Sequence, residues 1–176
     1  MILIAAKLAS THERLVIRSD DTDVLVLLIY YCCKEKLGQL VYMLAGHNTQ
    51  ATNRQRYIDI PSIVKAHGVK FCESLPAAHA LTGCDRTSSL HQIGKHVAYS
   101  KLMDFSEKDS ASLRKFGIQR DLEADISSAR SYVLDLYGKK AKSCSSLDQL
   151  RYFLASTTDK PTSQCHPLRM PSSNMF

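Results

Sequence analysis

Three aspartates carry the chemistry that this chain can offer. Asp21 and Asp23 stand at i and i+2 after the short apolar run Leu15-Val16-Ile17, and Asp85 closes a Gly83-Cys84-Asp85 turn. Together they make a hard oxygen set of the kind that Mg2+ or Mn2+ prefers, with several waters kept on the ion. Without a cation, three clustered carboxylates repel one another and some must take up protons. Asp20 stands beside the pair as a supporting group or a simple cap. A plainer reading stays open. An aspartate after a strand is a common helix cap, and Gly-Cys-Asp can be an ordinary turn.

The elements that must position these acids can be read from the pattern. Leu15-Val16-Ile17 predicts a central strand whose C-terminal end delivers the acids, and ligands of open α/β sheets collect at such ends. Asp21 then caps a helix from about Asp23 to Cys33. Leu40–Leu44 and Arg56–Ile60 predict two further strands, and Pro61 opens a short helix that Gly68 stops. Leu75, Ala78, His79, Leu81 and Thr82 recur at helical spacing before the break at Gly83. The polar turn that follows leads to Ile93-Gly94-Lys95, which opens another helix. An acid at the end of a buried helix, followed by a turn into a basic helix, suits a metal held beside a phosphate backbone. Helices are predicted at Gly94–Met103, Asp109–Phe116, Leu122–Tyr137 and Leu147–Ala155, with Ser146 and Gln149 punctuating the last. Met1, Ile4, Ala5 and Leu8 share the face of an N-terminal helix that has no start signal, which reads as a chain beginning inside an element.

The fold class predicted is α/β: a small, mostly parallel sheet with flanking helices and a C-terminal helical extension. The α/β part covers residues 1–90, the helical part 91–155, and a Ser/Thr/Pro-rich, poorly ordered tail 156–176.

The wording of the motifs adds to this reading. SDDTDVLVLL, followed some way on by YIDI and then LTGCDRTSSLHQIGKHVA, resembles the PIN-like, flap-endonuclease-type nuclease superfamily. It is most similar to a transposon-associated branch of animal genomes. The resemblance runs over most of the chain, to the LYGK and LRYFL segments. It implies that Asp21, Asp23 and Asp85 are metal-coordinating catalytic residues, with Mg2+ or Mn2+ as cofactor. It also implies that Gly94 and Lys95 hold a duplex backbone, where amides at a helix N-terminus and a lysine make a phosphate site without base reading. Arg86 stands where the family has a small polar residue, so it either pairs with Asp85 or reaches a phosphate. A further acidic cluster of the family, upstream of the helix that here starts at Met1, is absent. The expectation is therefore a nuclease-type domain, with a catalytically degenerate nucleic-acid-binding or interaction module as the alternative.

The resemblance implies a nucleic-acid partner, DNA before RNA, and an intracellular, nuclear place, and the net charge agrees with a polyanion. The 176 residues carry a formal net charge of +6, which favours a polyanion, although no dense basic block exists. The longest apolar run, Val24–Cys33, is too short to span a bilayer, and no secretory leader is apparent. The six cysteines suggest reduced thiols rather than a disulfide framework. Cys72, His79, Cys84 and His91 match no compact zinc spacing, and Cys32-Cys33 is not a redox CxxC. The chain holds no P-loop, nucleophile elbow or GxGxxG, and its tyrosines are too dispersed for a stacking platform.

Overall fold

The structure, a computed structural model, describes residues 2–37, 40–46, 54–84, 89–118 and 121–157. It divides into two compact units, residues 1–76 and 77–176. Both are built from the alternation of apolar and polar positions, but they are built differently.

The first unit holds a three-stranded sheet in the order β1 (Arg14–Arg18), β2 (Leu40–Ala45), β3 (Arg56–Asp59). Along β1 only Leu15 and Ile17 are buried, and along β2 Val41, Met43 and Ala45 are, so each strand turns one face to the core. The register sets Leu15 beside Val41 and Ile17 beside Met43, joining those side chains into one apolar layer. Helix α2 (Thr22–Cys33) adds Val26, Leu28 and Ile29 to the unit's core. From α3 (Ile60–Leu81) come Ile60, Phe71, Cys72 and Leu75. Each large apolar side chain so buried is worth about 1.5–3 kcal/mol.

The chain is α/β, as expected, and mostly helical, but its sheet is mixed. The strands β1 and β2 are parallel, and α2 forms the crossover between them. The pair β2 and β3 is antiparallel. The connection from Gly46 to Gln55 is shorter than the roughly dozen residues that a parallel crossover needs, so the chain reverses instead. The third strand ends one residue early, because Ile60 is fully buried and already helical. Gly68 does break the helix, with φ of 75° and ψ of 172°, yet helical backbone resumes at once and runs to Leu81. Phe71, Cys72 and Leu75 explain the restart, since they continue an apolar face beyond the glycine. In α1 (Ile2–Ala9) only Ala5 of the predicted face is buried, whereas Ile4 and Leu8 are exposed.

Two contacts tie the first unit at its ends. Lys34, just after α2, forms an ion pair with Glu73 of α3 at 2.7 Å. At the other end the Gly46 amide donates to Asp20 Oδ1, joining the exits of β1 and β2. Beside these, the Cys72 thiol is pushed up to about 12, first by burial and then by the neighbouring Cys33 thiol. Cys32, Cys33, Cys72, Cys84 and Cys144 are thiols outside any disulfide.

The second unit is helical. It contains α4 (Lys95–Asp104), α5 (Glu107–Lys115), α6 (Leu122–Tyr137), a 3-10 turn (Gly138–Ala141) and α7 (Leu147–Ser156). Three starts are capped by side chains: Ser106 accepts from the Asp109 amide, Asp121 from Ala124, and Ser146 from Gln149. Helix α6 is the centre, packing against α4, α5 and α7. It buries Tyr132, Val133, Leu136 and Tyr137. The Tyr132 ring meets Phe105 edge-on at 5.4 Å, and its hydroxyl donates to the Ala98 carbonyl of α4. The predicted tail lies outside the described residues from position 158 onward. Among the described residues no helix is long and apolar enough to cross a membrane.

Gly46 is the position where the sheet allows no side chain. Its φ is +91°, and a Cβ there would lie 2.2 Å from the Arg54 carbonyl oxygen. Gly46→Ala is therefore expected to destabilise the fold by more than the roughly 1–3 kcal/mol of a strained residue alone. Urea unfolding checks this, and Gly94→Ala, where a Cβ meets nothing within 4 Å, is the control.

Candidate functional site

The first candidate group, in the first unit, is built by the turn from β1 into α2. Ser19 leaves the strand with its amide on the Leu44 carbonyl, and its hydroxyl accepts the Asp21 amide at 3.1 Å. Asp21 is the N-cap of α2, in extended backbone, and its Oδ1 accepts the Asp23 amide at 2.8 Å. Asp23 lies in the first turn of the helix. Asp21 is exposed and Asp23 half-buried, so this pair of carboxylates is reachable from solvent. Carboxylates at a helix N-terminus are favoured by its dipole by about 0.3–1 kcal/mol.

The plainer reading of these acids is therefore realised in part: Asp21 is a cap, and Asp20 is a tie to Gly46. Capping does not use up a carboxylate, which has two oxygens and about four lone-pair sites. The Asp21–Asp23 pair offers hard oxygen donors, a chemistry that fits Mg2+ or Mn2+ rather than a thiolate-seeking metal. Asp85 and Arg86 lie outside the described residues. Two of the three proposed ligands are thus brought together by one turn. Among the described residues no group of three His, Cys, Asp or Glu side chains is placed to hold a metal ion.

A separate candidate group, in the second unit, is Gly94 and Lys95. Gly94 is the N-cap of α4 without a side-chain cap bond, and the first turn of that helix contains no acid. The first backbone bond of the helix runs from the Ala98 amide to the Gly94 carbonyl, so the amides of residues 95–97 precede the helical ladder. Gly94 has an ordinary φ of −87° and open space where a Cβ would stand, so neither its backbone nor its neighbours require glycine. A group approaching from outside would benefit from the missing side chain.

Lys95 is placed differently from its expected surface position. Its ammonium donates to the His79 carbonyl at 2.7 Å and to Thr82 Oγ1 at 3.1 Å, at the end of α3. Thr82 is buried and donates in turn to the Ala78 carbonyl, while His79 Nδ1 shares a hydrogen bond with the Tyr99 hydroxyl at 2.7 Å. Lys95 and Tyr99 are four residues apart, so one face of α4 fastens the last turn of α3. The sequence holds a weak sign of this arrangement in the i, i+4 spacing of Lys95 and Tyr99. Nothing local points a lysine inward.

Other ionisable groups cluster between α4, α5 and α6. Asp135 is raised above the ordinary carboxylate range by burial and then by the charge of Asp109, with Lys101 opposing. It lines a surface cleft with Lys101, Lys139 and Lys142, which no motif in the sequence had marked.

No known protein family, curated protein or solved structure matches this chain.

The cap makes a prediction that is independent of any metal. Asp21→Ala is expected to cost about 0.5–2 kcal/mol of stability, whereas Asp21→Asn, which keeps an acceptor oxygen, is expected to cost a few tenths. Urea denaturation of the two variants checks the difference.

Proposed function

We propose that this chain is a PIN-like, flap-endonuclease-type nuclease domain of mobile-element origin, acting on nucleic-acid phosphodiesters with Mg2+ or Mn2+. The observation that carries the reading is the Asp21–Asp23 pair, presented at the C-terminal end of a parallel strand and open to solvent. The motif string around Asp85 supports it, because SDDTD and LTGCD occur in the order that the resembled family uses. The positive net charge and the glycine-opened start of α4 support a polyanionic substrate.

In this reading Asp21, Asp23 and Asp85 hold the cation, and DNA is the favoured substrate. A divalent cation at such a site supplies charge neutralisation of the phosphate and a more acidic water. The capping bond at Asp21 fixes the direction in which its carboxylate points, so the chain meets the ion with one donor already oriented. The start of α4 would hold a backbone phosphate through its early amides. Nuclear location belongs to the same proposal.

A second reading is favoured by a specific observation. Asp20 and Asp21 both have structural hydrogen bonds, so these acids have a use in the fold without any chemistry. A nucleic-acid-binding module that has lost catalysis would keep them for that reason.

Cleavage of a 5′-labelled branched or single-stranded DNA separates the two. The nuclease is expected to cut with Mg2+ and not with EDTA, and Asp23→Asn or Asp85→Asn should slow cutting on the order of 100-fold or more. Binding that persists in EDTA, with no cutting and no response to either substitution, identifies the module instead.

A further inference from the structure

Lys95 is one of the groups that meet the last carbonyls of α3. The last carbonyls of a helix have no partner within it and need one from elsewhere. The Ala78 carbonyl takes the Thr82 amide and hydroxyl, and the Ala80 carbonyl takes the Gly83 amide. The His79 carbonyl takes the Lys95 ammonium. A cation at a helix C-terminus also meets the negative end of the helix dipole. The same ammonium bonds Thr82 Oγ1, whose residue is only 3% exposed. A full positive charge is thereby drawn into a half-buried joint between two helices.

This joint connects the two segments that the proposed nuclease needs to hold in register. On one side α3 ends and the chain passes through Gly83 and Cys84 toward Asp85. On the other side the lysine belongs to the first turn of α4, whose opening amides would meet the phosphate backbone. Four residues further along α4, Tyr99 bonds His79, so the two helices are fastened at two successive points.

We propose that Lys95 is a positioning residue: its ammonium locks the last turn of α3 to the first turn of α4, and it sets the phosphate-binding amides without touching the phosphate. The inference rests on the nucleic-acid reading above, and it assigns Lys95 a role opposite in direction to a surface contact. A lysine that neutralises a phosphate contributes about 0.9 to the salt dependence of binding, on a logarithmic scale. A lysine that works through helix placement contributes affinity but no such slope. Arginine at this position keeps donors that can serve the same carbonyl, and methionine keeps the length without the charge.

The test uses the full chain in two measurements. In the first, acylation of lysines in the free protein is followed by mass spectrometry. Lys95 is expected to react at least about tenfold more slowly than the exposed Lys139 and Lys142, in line with its hydrogen bonds. In the second, affinity for a short DNA duplex is measured from 50 to 200 mM salt for wild type, Lys95→Met and Lys95→Arg. Lys95→Met is expected to bind about tenfold more weakly, a loss of about 1.4 kcal/mol, with an unchanged salt slope. Lys95→Arg is expected to restore binding. A purely structural lysine would lower the melting temperature and leave affinity well below that temperature unchanged, which overturns the proposal. Acylation as fast as that of Lys139, or a salt slope lowered by about 0.9 in Lys95→Met, overturns it too. If Lys95→Met does not fold, the acylation rate and the salt slope of Lys95→Gln decide, because glutamine keeps donors without the charge. Wild-type protein that binds no duplex at all defeats the nucleic-acid reading itself, a result distinct from any of these.

Discussion

One hydrogen bond, from the Asp23 amide to the Asp21 carboxylate, converts strand β1 into helix α2. The rest of the proposed chemistry depends on it. It satisfies an amide that the helix cannot satisfy itself, and it brings two carboxylates to the same corner of the sheet. The neighbouring tie from Gly46 to Asp20 holds the exit of β2 at the same level. Because a side chain on Gly46 would collide with the Arg54 carbonyl, the sheet end is sterically tight just where the acids emerge. Stability and site are therefore served by the same few atoms, and substitution of these acids will move both.

The second unit solves a different problem, which is how to begin a helix without a cap. Helices α5, α6 and α7 each begin with a serine or aspartate that occupies an early amide, whereas α4 begins with glycine. Its stability comes from elsewhere. Ala98 and Leu102 are buried, Tyr132 reaches the Ala98 carbonyl, and Lys95 and Tyr99 grip the end of α3. The arrangement exchanges a local side-chain cap for long-range anchors.

Much of the first unit was legible because its signals are local. Asp21 reads as a cap from residue type alone, and the apolar run Leu15-Val16-Ile17 identifies a strand, but β1 lies at the edge of the described sheet rather than at its centre, with Val16 exposed. In the second unit, the end of α6 follows from Gly138 after it. What stayed hidden was decided by distant parts of the chain. A lysine at a helix start looks like a solvated surface group, and only its bonds to the His79 carbonyl and Thr82 Oγ1, sixteen and thirteen residues back, hold Lys95 inward. The direction of β3 depends on the length of its connection rather than on its own residues. Gly68 does interrupt its helix, but the apolar face beyond it restarts the same element. Ile4 and Leu8 of α1 carry a correct period and still remain exposed, because periodicity says which residues share a face and nothing about what covers it.

Convergence of Asp21, Asp23 and Asp85 on one cation is the central claim, and Mn2+ titration followed by NMR measures it directly. The paramagnetic ion broadens amide signals near its binding site, whatever the fate of any substrate. Saturable broadening confined to residues around Asp21, Asp23 and Asp85, reversed by excess Mg2+, is the expected result. Broadening spread evenly over exposed carboxylates, or broadening at Asp21 and Asp23 that leaves Asp85 untouched, would contradict a shared metal site.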